Sequence, residues 1–287
     1  MVKTLSMSQD ECMRILVISC LSILVSLIYY KIHLNGAICQ CTKVVLLDVG
    51  QGSGLYIQSG EEEILIDTGE THKTLRELGK IRDPLDTTLE HLFLTHADRD
   101  HIGRAPELLE RLKVRKIYFN GYGREDVISR AIHESGTPKQ VLRAGNTIKI
   151  GEVFIKVLWP NGDHDENKND SSLVMKLTVG EHTLLAAGDI TKSVEKELIY
   201  IYGDDLRSDI LLVPHHGSKS STSEVFLNVV QPQVALISAG KDNRFGHPHQ
   251  EVIDRLRRFD VQIFNTAEFG SVTFYLEHNG SGIILDK

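Results

Sequence analysis

Four apolar runs in this chain are each followed, within two residues, by histidine or aspartate. Leu92-Phe93-Leu94 leads into Thr95-His96-Ala97-Asp98-Arg99-Asp100-His101, and Leu185-Ala186-Ala187 into Gly188-Asp189. Leu212-Val213 leads into Pro214-His215-His216-Gly217, and Ile64-Leu65-Ile66 into Asp67-Thr68-Gly69. Short apolar runs bounded by turn residues read as buried strands, and side chains just past a strand end meet open space beyond the sheet. The fold must therefore be built from sheets whose strand ends carry ionisable groups. Of the 13 histidines, six fall in the segments around His96, His215 and His247, each after an expected strand. Surface chance does not give that distribution.

The rest of the pattern fits packed sheets. From Lys43, strand-like runs separated by glycine come at 44–48, 55–58 and 64–67, and a polar helix at 73–78. A buried strand at 91–94, a helix from Pro106 and a strand at 116–119 follow. A second sheet-rich block covers 147–158, 172–179 and 182–186. It is followed by a helix at 193–201, strands at 210–213 and 234–238 with a helix at 224–230 between them, a helix from about 250 to 259, and strands at 262–264 and 271–276. Two similar halves, each sheet first and then strand-helix alternation, imply two packed sheets with helices outside, an α/β (α+β) class. Residues 161–170 form a polar, acidic loop.

His96, Asp98, Asp100 and His101 place four candidate metal ligands within six residues. On a tight loop, some point one way and some another, so one segment can serve two ions. Asp189 is placed to bridge, because one carboxylate between two cations gives an oxygen to each and reduces their repulsion. His215 and His216 point in different directions, so one can bind metal while the other faces substrate. In Gly246-His247-Pro248-His249, Pro248 suits a first helical turn, and free amides with two imidazoles can hold an anion. Asp67 is placed to accept the second ring proton of a liganding histidine. The turn Asp48-Val49-Gly50-Gln51-Gly52-Ser53-Gly54 lacks the lysine of a nucleotide-binding loop, so Asp48 reads as structural support near the site.

Composition settles less. The net charge of −7 argues against a surface that is wholly a nucleic-acid footprint. The four cysteines, Cys12, Cys20, Cys39 and Cys41, all precede the first expected strand, so any metal must use histidine and carboxylate. Residues 15–30 carry no charge, and with Lys31 snorkelling the run extends to 38, long enough for a spanning helix. The expected organisation is a tail at 1–14, a membrane anchor or uncleaved signal at 15–38, and one domain at 43–287. Asn35-Gly36-Ala37 is a poor cleavage site. The expected location is a single-pass membrane protein with its domain outside the cytoplasm, with secretion as the alternative.

These residues resemble the metallo-β-lactamase superfamily, whose signature is His-x-His-x-Asp-His followed by a distal Asp and a distal His. Over about 43–276, four motifs are similar to the hydrolase domain of ComEC-type DNA-uptake proteins: 48–52, 94–103, 213–218 and 246–249. The resemblance implies a four-layer αββα sandwich with two divalent ions, Zn²⁺ or Mn²⁺, at the sheet edge. It implies His96 and Asp98 on the first ion, Asp100 and His101 on the second, Asp189 between them, His216 as the final ligand and His215 left for substrate. Asp98 stands where the broad superfamily has histidine, and no histidine precedes Ser171-Ser172 where a third ligand is usual. Asn169 or Asp170 could substitute. The first site is richer in oxygen, which suits harder ions such as Mn²⁺ beside Zn²⁺. Ser53 stands where ComEC-type domains often have Asp.

The function expected is a membrane-anchored phosphodiesterase acting on DNA through activated water. Asp100 and Asp189 would hold the nucleophile, and His215, His247 or His249 would steady the oxyanion or protonate the leaving group. Lys219, Lys241 and Arg244 would bind backbone phosphates. With at most one spanning segment, the chain cannot itself be a DNA pore. The sparse aromatic content, 6%, keeps open a small ester such as a phosphocholine or lactone as substrate. A non-catalytic module that binds nucleic acid or a membrane partner is the third reading.

Overall fold

The computed structural model describes residues 13, 16–26, 41–122, 126–162, 169–278 and 283–286. It comprises two compact units, Met1–Gln40 and Cys41–Lys287. In the first, helix α1 covers 16–26 and leaves Leu16, Val17, Ile18, Leu21, Ile23, Leu24 and Val25 exposed. At about 1.5 Å per residue the described stretch 16–26 covers roughly half of a ~30 Å hydrocarbon core. Among the described residues no helix is long and apolar enough to cross a membrane. The rest of the expected 15–38 anchor lies outside the described residues, as do 163–168 of the acidic loop.

The second unit opens with strands β1 (Cys41–Leu46), β2 (Leu55–Ser59) and β3 (Glu62–Ile66), then helix α2 (Lys73–Ile81) and β4 (Thr88–Leu94). Helices α3 (Arg99–Ile102) and α4 (Ala105–Arg111), strand β5 (Lys113–Phe119), helix α5 (Val127–Glu134) and strand β6 (Lys139–Val141) follow. The next block is β7 (Thr147–Ile150), β8 (Val153–Trp159), β9 (Val174–Val179), β10 (His182–Ala186), α6 (Lys192–Tyr202) and β11 (Ile210–Leu212). The chain then runs through α7 (Glu224–Val230), β12 (Val234–Ile237), α8 (Gln250–Arg258), β13 (Gln262–Asn265), α9 (Thr266–Phe269), β14 (Val272–Glu277) and β15 (Ile283–Asp286).

One mixed sheet has the order β15-β14-β1-β2-β3-β4-β5-β6 and the other β13-β12-β11-β10-β9-β8-β7. Successive residues of a strand face opposite sides. Val44 and Leu46 of β1 thus enter the core between the sheets with Ile155, Leu177 and Leu184, while Val45 packs outward among Leu78, Ile102 and Leu108 of the first helical layer. In β11, Ile210 and Leu212 face the inter-sheet core and Leu211 faces Leu198, Leu227 and Leu256 of the second helical layer. Burial on both faces explains why these strands read as continuous apolar runs rather than alternating ones. The layers are helix, sheet, sheet, helix.

β3, β4 and β5 are parallel neighbours, as are β10, β11, β12 and β13. Their carboxyl ends therefore share one edge in each sheet, and Leu173 N–H donates to the Thr95 carbonyl at 2.9 Å where the two edges meet. Two expectations need correction here. The segment carrying Asp98 to His101 is not wholly the tight loop expected, because 99–102 closes into one helical turn with Asp98 as its N-cap. Pro248 does not sit in the first turn of α8: that helix starts at Gln250 with His249 as N-cap, so Pro248 precedes it, joined to His247 by a cis peptide bond.

Candidate metal centre

The ligands converge from strand ends on both sheets. His96 and His101 follow β4, Asp189 follows β10, and His216 follows β11 in a short 3-10 turn, Pro214–Gly217. Two groups of ligand atoms result, His96 with His101 and Asp189, and Asp100 with His101 and His216. His101 Nε2 lies 3.1 Å from Asp189 Oδ1, and His216 Nε2 lies 3.4 Å from Asp189 Oδ2 and 3.3 Å from Asp100 Oδ2. His96 Nε2 is 4.0 Å from Asp189 Oδ2 and 3.7 Å from Asp98 Oδ2. Asp189 thus stands between the two groups, as a bridging carboxylate would.

The tautomers follow from the outer partners. Ser238 offers only a carbonyl to His216 Nδ1, at 2.9 Å, so that nitrogen carries the proton. Thr95 gives its hydroxyl hydrogen to Asp67 Oδ2 at 2.8 Å and its amide to Oδ1 at 2.8 Å. Its oxygen is left to accept from His96 Nδ1 at 3.1 Å. Asp67 Oδ2 also accepts from His101 Nδ1 at 2.7 Å. All three rings then turn Nε2 lone pairs inward. His101 Nε2 and His216 Nε2 face each other at 3.3 Å, and His96 Nε2 is buried with no hydrogen-bond partner. Lone pairs facing lone pairs and carboxylates, away from water, need a cation. The residues fit divalent metal.

The electrostatics agree. Burial works against charge on Asp189, but the facing imidazoles of His101 and His216, 3.1 and 3.4 Å away, hold its carboxyl well below the usual range. Burial likewise opposes ionisation of Asp100, and the facing imidazoles of His216, 3.3 Å away, and His101 overcome it. The His96 imidazole, with Nε2 3.7 Å away, holds Asp98 below the usual carboxylate range against its burial. His216, buried but facing Asp189 and Asp100, is raised to about 9. The pocket favours positive charge.

Local backbone explains the aim of these side chains. His215 and His216 both adopt left-handed conformations, φ 53° and 54°, which turn their rings 77° apart. Asp67 is left-handed too, at φ 63°. Such non-glycine strain is held only where surrounding structure over-determines it. A Cβ on Gly52 would lie 2.1 Å from the Asp100 carbonyl oxygen, so only glycine lets the 48–54 turn press on the ligand segment, where Ser53 N–H donates to that oxygen at 3.1 Å. Gly188, at φ +53°, faces Ser172, whose hydroxyl accepts the Asp189 amide at 3.1 Å.

Around this centre His215 hydrogen-bonds Ser220 Oγ through Nδ1 at 3.1 Å, with Nε2 3.5 Å from Asn169 Nδ2. Burial lowers its imidazole below the ordinary value. His247 lies 5.7 Å from the His215 ring and 6.2 Å from that of His216, with Nδ1 buried and unpartnered; burial, then the nearby histidines, push it down to about 4. His249 accepts the Lys219 amide on Nδ1 at 3.2 Å, clasping the two histidine segments. Lys219, Lys241 and Arg244 are exposed on those segments. Asp48 is not in the ligand network: it pairs with Lys73 at 2.9 Å and accepts the Gly50 amide at 3.0 Å, shaping the turn. Asp170 accepts the Thr191 amide at 3.0 Å. Thr95, Ser172 and Ser238 escaped sequence reasoning, because an uncharged residue that orients a ligand has no signal except its place beside one.

A family model described as the metallo-β-lactamase superfamily matches residues 47–241. The chain belongs to the metallo-β-lactamase superfamily. Among relatives in sequence, ComE operon protein 3 of Bacillus subtilis (strain 168) is 34% identical over 254 residues, 81% of this chain and 33% of that protein. Recombination protein 2 of Haemophilus influenzae is 32% identical over 243 residues, 80% of this chain and 28% of that protein. The chain therefore spans about a third or less of the length of these curated relatives. Among solved structures, the metallo-β-lactamase fold protein YhfI from Bacillus subtilis aligns with a TM-score of 0.59 at 16% identity, over 82% of this chain and 99% of that one. Igni18, a metallo hydrolase from Ignicoccus hospitalis, aligns at 0.56 and 15% identity, over 81% and 98%. These metallo-β-lactamase likenesses establish the fold.

Proposed function

We propose that this metal-dependent hydrolase fold serves a phosphodiesterase that cleaves DNA with two divalent ions, Zn²⁺ or Mn²⁺. The observation that carries the reading is the pair of ligand groups sharing His101, with Asp189 between them. Relatives named for competence and recombination support DNA as the polymer.

His96, Asp98 and Asp189 would hold one ion, and Asp100, His101, His216 and Asp189 the other. Bound ions would supply Lewis acidity to a phosphoryl oxygen and make water acidic enough to deprotonate near neutral pH. Asp67 and the Ser238 carbonyl keep His101 and His216 protonated on Nδ1, so their Nε2 atoms stay turned inward. Asp100 and Asp189, both held ionised, would hold the attacking water in place by accepting its hydrogen bonds. His215, anchored by Ser220, offers a ring N–H to the developing negative charge. His247 stays neutral and adds no repulsion toward the ions. Lys219, Lys241 and Arg244 supply cations for flanking phosphates.

The exposed apolar face of α1 and the uncharged 15–30 run support attachment to the membrane, with the hydrolase domain outside the cytoplasm or, alternatively, secreted. A disulfide at Cys41 fits an oxidising compartment.

The test uses the full chain purified without chelators. Its metal content is measured, and Mn²⁺ or Zn²⁺ is supplied with single- and double-stranded DNA, bis-p-nitrophenyl phosphate and a lactone, with Asp100→Ala as control. DNA cleavage lost in the variant supports the proposal. Turnover of the lactone alone points to a small-ester hydrolase, and fewer than about one ion per chain to a binding module.

A further inference from the structure

Two rings lead outward from His216. Its imidazole lies 6.2 Å from His247 at an interplanar angle of 29°, and His247 lies 5.6 Å from Phe245 at 21°. His216 is buried, His247 half-buried, and Phe245 is 46% exposed. The stack therefore starts among the ligands and ends in a partly exposed ring. Exposing a phenylalanine ring costs hydrophobic free energy that the fold does not recover, and here it occurs two rings from the candidate metals. The Arg244 guanidinium lies 4.7 Å from the same ring centroid and is itself exposed.

We infer that Phe245, with Arg244, is a base-stacking subsite: it holds an unpaired nucleobase adjoining the phosphodiester presented to the metal centre, and so selects single-stranded nucleic acid. This rests on the phosphodiesterase reading. A flat ring next to a cation matches a nucleotide's two recognisable parts, its π-face and its phosphate. Stacking on one ring needs a base free of its partner, so a duplex meets the site only after unpairing. Lys241 and Arg244, immediately either side of Asp242-Asn243, give the same segment positive charge for the strand's backbone. Asn243 keeps the segment in shape: its amide donates to the Gly240 carbonyl at 2.9 Å and its side-chain oxygen accepts from His247 N–H at 3.0 Å. The ring's position is thus built into the loop.

The experiment compares short phosphorothioate-linked strands, which resist hydrolysis, containing either 2-aminopurine among ordinary bases or abasic sites throughout. Binding to the metal-loaded full chain is read by anisotropy and by 2-aminopurine quenching, and cleavage is followed separately on ordinary strands. The wild type is expected to bind the base-containing strand about five-fold or more tighter than the abasic one, a difference on the order of 1 kcal/mol. Phe245→Ala should bring that ratio close to one and abolish the quench, Phe245→Leu should do nearly the same, and Phe245→Trp should keep both. Equal wild-type affinity for the two strands, or an unchanged ratio in Phe245→Ala, overturns the subsite. If DNA is cleaved while the ratio stays unchanged, the subsite falls and the phosphodiesterase reading stands. If no strand is cleaved but the quench is present and lost in Phe245→Ala, the subsite stands and that reading falls.

Discussion

Asp67 commits both carboxylate oxygens, one to the Thr95 amide and the other to the Thr95 hydroxyl and His101 Nδ1, from a left-handed backbone. Asparagine tolerates that backbone but puts an amide NH₂ where one of these donors points. Asp67→Asn is therefore expected to fold and to lose metal affinity roughly 10- to 100-fold, read by chelator competition. An affinity equal to wild type would detach Asp67 from the centre. Gly52→Ala acts through shape instead. Its Cβ would strike the Asp100 carbonyl oxygen, so the 48–54 turn or the ligand segment must move. A loss of about 2 to 4 kcal/mol in chemical denaturation, with weaker metal binding, is expected. Asp98 was legible as a departure from the superfamily's histidine. It lies at the solvent side, its side chain 38% exposed, while His96 beside it is fully buried. An ion held by His96 and Asp98 would thus have the wetter and more weakly held partner, and it should be released first in a chelator titration.

At the scale of elements, the strands that carry ligands were the most legible, since burial on both faces produces unbroken apolar runs with abrupt ends. Strand β10 and helix α7 fall where the residue pattern puts them, at 182–186 and 224–230. Short or marginal elements were not legible. The turn α3 hides inside a string of charges, α9 has only four residues, and β6 and β15 are edge strands paired on one side only. Helix α5 was hidden by a mixed surface, although Asp126 caps it by accepting the Ile128 and Ser129 amides. One inter-element contact carries a pH prediction. Glu195 of α6 is buried and accepts the amides of Thr222 and Ser223, just before α7. Burial raises its carboxyl above the ordinary glutamate value, against those hydrogen bonds. Its stabilisation is complete below the unfolded value, near pH 4, and is lost as pH rises through the folded one. The stability deficit of Glu195→Gln relative to wild type should therefore shrink from about pH 4 to about pH 7 in urea melts. A constant deficit would show that the carboxyl titrates alike in both states.

Across the whole molecule, the first sheet supplies His96, Asp98, Asp100 and His101, and the second supplies Asp189 and His216. Cations bound there tie two sheets that otherwise meet through an apolar core. At a hundred-fold excess over the dissociation constant, one ion adds about 2.7 kcal/mol to the folded state. Chelation is then expected to lower Tm by roughly 5 to 10 °C, and an unchanged Tm would mean that the centre is empty as purified. The turn at 143–146, between β6 and β7, separates the ligands into two lots: His96 through His101 before it, Asp189 and His216 after it. The later part also sends β14 back to pair with β1 across sheet one. A chain cut at that turn would give two pieces, neither holding a full coordination shell, that pair through β14 and β1 and complete the site for a divalent ion only together. The architecture is in that sense a split reporter for metal.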